Sequence, residues 1–140
     1  MNHTLLEVEQ AFRNAWGADT TCLAPGSLPG WSPDNPSHGQ CGPTALVLQD
    51  LFGGDLLLAD VSAGAGGVSS VHYWNRLQGG LEVDLTRDQF ASSHTVGEPR
   101  VVVRPAEGPR AHRSEYQLLR RRVFAALGLG NRHDVAESVA

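Results

Sequence analysis

Apolar positions recur along the chain with two different periods. Over residues 4–16, Leu5, Val8, Phe12 and Trp16 fall on one face of a helical repeat, Thr4 and Glu7 have capping-box spacing, and Gly17 follows as a stop. Residues 42–52, "GPTALVLQDLF", are apolar over much of a helical circumference through Ala45, Leu46, Leu48 and Leu51, as a central buried helix requires. Pro43 suits its first turn and Gly53-Gly54 end it. Residues 114–127 carry a third helical stripe, Tyr116, Leu119, Val123 and Leu127, opened by a second capping-box pair, Ser114 and Gln117.

The period changes in the middle of the chain. Strands are expected over 55–61, 68–77, 81–86 and 100–105, with "SAGAGG" as a flexible loop after the first and "QGG" as a hairpin turn between the second and third. On 68–77, Val71, Tyr73 and Leu77 share one face and His72, Trp74 and Arg76 the other; on 81–86, Leu81, Val83 and Leu85 oppose Glu82, Asp84 and Thr86. Whether His72 and Asp84 meet depends on register. A turn of Gln78, Gly79 and Gly80 sets Trp74 opposite Asp84 and His72 diagonal to it. A turn of Leu77, Gln78 and Gly79 sets His72 directly opposite Asp84, and a two-residue turn separates them. Trp74 could then shield the pair from water.

The element order, two helices, then strands, then a helix, implies an α+β fold with an antiparallel sheet. At 140 residues the chain is expected to be a single domain over 1–140, with 129–140 a flexible tail. Residues 18–40 have neither period and are rich in proline, glycine and serine; so long a loop in a small domain is more often functional than idle. Trp31 is expected to pin it to the body.

Charge and composition narrow the function. A net charge of -4 lacks the basic face of a nucleic-acid binder. All 11 basic residues are arginine, so lysine chemistry is excluded. No apolar run is long enough for a membrane span and the N-terminus reads unlike a signal peptide, which makes the expected location cytoplasmic, away from membranes. In that compartment Cys22 and Cys41 are expected as free thiols.

"NPSHGQCGPTAL" sets Cys41 just before a helix, where the dipole and unpaired N–H groups favour a thiolate. A thiol nucleophile also needs a base and a group to fix the base's tautomer. His72 and Asp84 are the candidates, with Asn75 a competing orienter that strand alternation points away. The oxyanion of an acyl transfer would find the Cys41 N–H and a side-chain amide, either Gln40 or Asn35, with Trp74 lining the substrate. Cys22 reads as structural, Asp88 as capping a turn, and the arginines at 120–122 as a solvated helix face. Two other readings use the same residues: a zinc shell begun by His38 and Cys41 and completed by His72 or Asp84, and a binding or redox-responsive protein without turnover.

Three motifs in order, "NPSHGQCGPTALVLQDLFGG", "HYWNRL" and "EVDLTRDQF", resemble the YunG-like family of small bacterial proteins over residues 16–90. The resemblance implies a reduced papain-like or transglutaminase-like core with Cys41, His72 and Asp84 at matching positions. The resemblance supplies no substrate; the thiol chemistry itself points to a small-molecule or peptide amide or thioester, with no cofactor expected. Pro43 departs from the expected pattern, since it removes one N–H from the helix start.

Overall fold

A computed structural model describes residues 2–23, 30–63, 68–90, 94–105 and 108–129. Helix α1 (Leu5–Ala15) is entered through the capping box: the Thr4 hydroxyl accepts the Glu7 N–H at 3.1 Å, and the Glu7 carboxylate accepts the Thr4 N–H at 3.3 Å. Its buried face is Val8, Ala11, Phe12 and Ala15. Helix α2 (Cys41–Phe52) starts one residue earlier than expected, at Cys41 itself, because Gln40 is the N-cap and its carbonyl accepts the Thr44 N–H at 3.0 Å. Helix α3 (Arg113–Ala126) also starts early, and the Ser114–Gln117 box does not form. His112 is the cap instead, in a left-handed conformation with φ 55° and no side-chain cap bond.

Five antiparallel strands follow the order β3-β2-β1-β4, with β5 also paired to β1: β1 (Asp55–Ala63), β2 (Val68–Arg76), β3 (Glu82–Val83), β4 (His94–Val96) and β5 (Arg100–Val102). β1 runs past the expected 61, so Ser62 belongs to the strand, and residues 64–67 of the glycine-rich loop lie outside the described residues. The expected strand over 81–86 shrinks to two residues. Leu85 and Thr86 are buried in a turn that leads into a 3₁₀ turn at Arg87–Gln89, so the chain leaves the sheet as soon as Val83 has packed. The 100–105 strand likewise ends at Val102. β4 has no counterpart among the expected elements. Of the expected tail, Leu129 still bonds the Phe124 carbonyl at 2.8 Å, and 130–140 lie outside the described residues.

One core gathers the three helices onto the sheet: Phe12 and Trp16 from α1 and the residue after it, Val47, Leu48 and Leu51 from α2, Leu119, Val123 and Phe124 from α3, with Val83 and Leu85. Among the described residues the architecture is α+β with three helices and an antiparallel sheet, as the element order implies. Asn75 is buried on the helical face, where its amide donates to the Ala45 carbonyl of α2 at 2.9 Å. On the opposite face a smaller cluster joins Leu57, Ala59 and Trp74. Among the described residues no helix is long and apolar enough to cross a membrane.

Several surface readings change. Arg120 bonds Asp50 at 3.1 Å and stacks its guanidinium over Phe124, and Arg122 pairs with Asp19, so these arginines bind α3 to the body. Asp88 pairs with Arg13 at 3.1 Å. Trp31 braces its own loop, donating to the Pro36 carbonyl at 2.9 Å.

Candidate active site

The start of α2 is fastened from three directions. Gln40 is fully buried, its Nε2 donating to the Gly17 carbonyl at 3.0 Å and its Oε1 accepting the Thr20 hydroxyl at 2.9 Å. The Trp16 indole donates to Thr44 Oγ1 at 2.9 Å, tying the end of α1 to the first turn of α2. Gly39 has φ 74°, and a Cβ there would collide with Thr21 Oγ1, so the approach to Cys41 requires glycine. Its N–H is held by Gln89 Oε1 at 3.1 Å.

Cys41 is thus the first helical residue, half-buried and free. A helix leaves its first N–H groups without internal partners. Here they belong to Cys41 and Gly42, because Pro43 has none and the Thr44 N–H closes on Gln40.

His72 comes from the middle of β2 and is fully buried. The pairs Asn75↔Val83 and Arg76↔Glu82, with Leu77 bonded to Leu81, leave Gln78, Gly79 and Gly80 as the turn. That register sets His72 diagonal to Asp84, and the gap closes to a 2.7 Å bond between Nε2 and Oδ2. Trp74 stacks on the ring with centroids 5.4 Å apart, and Phe90 meets it edge-on at 4.8 Å. The Trp74 indole is fixed in turn by Glu82 at 2.7 Å.

With Asp84 on Nε2, only Nδ1 remains for the thiol. Nδ1 is buried and closes no full hydrogen bond, yet Cys41 acts on the ring. Burial alone would lower the His72 pKa; the Asp84 bond, the nearby Cys41 thiol and the Asp84 charge outweigh it and raise it to about 9. The raised value favours the imidazolium form, the counter-ion a thiolate needs. Cys22 is the opposite case. Burial, then the charges of Cys41 and Glu115, push its thiol up to about 12.

The sequence-derived set is only partly assembled. Cys41, His72, Asp84 and Trp74 form one cluster. The Gln40 amide is spent on the 17–20 turn, and Asn35 lies in the turns before Cys41, bridged to Ser32. Among the described residues no three His, Cys, Asp or Glu side chains converge as a metal shell; the zinc reading thus lacks its donor set. Phe90 and Gln89 were not foreseen. Gln89 Nε2 is a buried donor without a partner, and the "TRDQF" segment gave no period that would place it beside Gly39.

The family model described as YunG protein matches residues 4–128. Among curated proteins, the uncharacterized protein YunG of Bacillus subtilis (strain 168) is 42% identical over 60 residues. That stretch covers 43% of this chain and 46% of the relative, so the chain spans less than half the length of the curated relative it matches. No solved structure matches.

Proposed function

The chain belongs to the YunG family, and from that premise we propose that it is a cysteine-dependent acyl-transfer enzyme on a reduced papain-like or transglutaminase-like core. The substrate is a small-molecule or peptide amide or thioester. One observation carries the reading: a buried histidine whose Nε2 is taken by Asp84 at 2.7 Å while its other edge is left to a thiol at a helix start.

In this reading the Cys41 thiolate attacks the substrate carbonyl carbon, and the oxygen takes up the electron pair facing the N–H groups of Cys41 and Gly42. Collapse expels the amine, which takes the Nδ1 proton of His72 and leaves a thioester on Cys41. Water or an amine then gives a proton to Nδ1 as it attacks that thioester, and the thiolate departs to restore the starting pair. Asp84 holds the Nε2 proton throughout and fixes the ring. Hydrolysis and amide formation differ only in the second nucleophile.

The test is alkylation by iodoacetamide at pH 6, followed by peptide mass mapping. Cys41 is expected to react faster than a free model thiol, with Cys22 unlabelled. A Cys41 rate no greater than that of the model thiol overturns the reading.

A second reading, a redox-responsive protein, is favoured by the position of Cys22. Its N–H bonds the Gly39 carbonyl at 2.8 Å and its thiol feels the Cys41 charge. Mild oxidation that links Cys22 to Cys41, together with biological activity surviving in Cys41→Ala, would favour it over acyl transfer.

A further inference from the structure

A cavity of about 280 Å³ opens beside the start of α2. Cys41 is not in its wall, but the next two residues, Gly42 and Pro43, are, and Cys22 lines it as well. The wall also includes Leu46 of α2, Leu56 and Tyr73 of the sheet, and Val102 of β5.

The chemistry of the wall limits what it holds. Its surface is mainly apolar; Arg104, Arg110 and His112 also line it, and Arg104 is committed to Asp50 at 2.8 Å and to the Tyr116 hydroxyl at 3.0 Å. Apolar side chains supply most of the surface, which suits an apolar occupant better than a charged one. The space exceeds the roughly 150 Å³ that accepts benzene in an engineered apolar cavity.

Gly42 supplies the link to the thiol. A Cβ built there meets nothing within 4 Å, and its backbone is ordinary helix that any residue adopts. Glycine in a helix costs about 1 kcal/mol against alanine. Neither conformation nor packing calls for glycine here; what its missing side chain leaves is open space in the cavity wall one residue after Cys41.

We propose that the cavity is the acyl pocket of the enzyme, taking an uncharged apolar acyl group larger than a phenyl ring, such as octanoyl or phenylacetyl. The carbonyl sits at Cys41 and the chain runs past Gly42 toward Leu46 and Val102. This rests on the acyl-transfer reading.

Two measurements test it separately from that reading. First, Cys41 acylation is compared between p-nitrophenyl octanoate and p-nitrophenyl acetate. The octanoyl ester is expected to react faster by about tenfold or more, and the ratio to fall to near one in Gly42→Leu and in Leu46→Trp, with folding checked by thermal midpoint. Second, octanamide is titrated calorimetrically into Cys41→Ala, where binding is expected, and into the same protein carrying Gly42→Leu, where it is lost. Fast iodoacetamide labelling with no chain-length preference overturns the pocket and leaves the nucleophile standing. Slow labelling with octanamide binding intact overturns the nucleophile and keeps an apolar site. Octanamide that fails to bind, or binds both proteins equally, overturns the pocket.

Discussion

Asp50, near the end of α2, and Asp84, just past β3, are similarly buried, with side-chain exposures of 18% and 21%, so burial does not distinguish them. Their partners do. Asp50 Oδ1 accepts from Arg104 at 2.8 Å, and its Oδ2 accepts from the Tyr116 hydroxyl at 2.6 Å and from Arg120 at 3.1 Å. Two of these donors are guanidiniums that never lose their charge. Burial, reinforced by Asp50, raises the Tyr116 phenol as well, and no proton leaves that cluster near neutral pH. Asp84 instead faces a histidine, its Oδ1 is buried without a partner, and the histidine's Nδ1 is unfilled too. A closed network holds the fold; an open one built on a titratable ring can pass a proton.

Asp84→Asn should break this contrast most sharply. Without the carboxylate, burial works against Cys41 alone and the His72 pKa falls from about 9. Turnover at pH 8 is expected to fall by about 10²–10⁴-fold, and the alkaline limb of the pH–rate profile should move to lower pH. An unchanged profile would show that Asp84 does not tune the ring. The same shift sets a stability slope. Because the folded-state pKa is raised, the contribution is complete below 6.5 and is lost as pH rises through about 9. Urea unfolding should show that loss in the wild type and not in Asp84→Asn.

Asp50→Ala sharpens the comparison from the other side. It leaves Arg104 and Arg120 without their carboxylate and should destabilise by about 3 kcal/mol, with the rate of Cys41 alkylation unchanged. A large loss of thiol reactivity would mean the two networks are coupled through α2. The smallest effect is expected from Gln89→Ala. Loss of the acceptor for the Gly39 N–H should cost about 1 kcal/mol and slow Cys41 alkylation by a few-fold at constant pH, measured by the same mass mapping.

The local periods made much of this visible in advance. The stripe of α1, the buried character of α2 and the alternation of the hairpin are properties of neighbouring residues, and Gly79 and Gly80, at φ 90° and 93°, suit the turn that sets the register. What the periods could not reveal depends on distant partners. Alternation continues through Leu85 although pairing stops at Val83, because Leu85 is buried in the core from a turn rather than from a strand. Capping spacing at Ser114 was overridden when the chain entered α3 through a left-handed His112. Distance along the chain from Cys41 points to Gln40 and Asn35, but an amide's use depends on which turn folds against it, and Gly17 and Thr20 claim Gln40. The cavity belongs to five separate segments, and no window of sequence contains it.

The outer side of β1 has a consequence for solubility. β5 covers Leu56–Leu58, the Gly97 N–H caps Asp60, and β4 covers Val61–Ala63. This side of β1 is thus closed off in short pieces that end almost as soon as they begin. A second copy of the chain finds no continuous ladder there to extend, and these two stubs act as guards against edge-to-edge association.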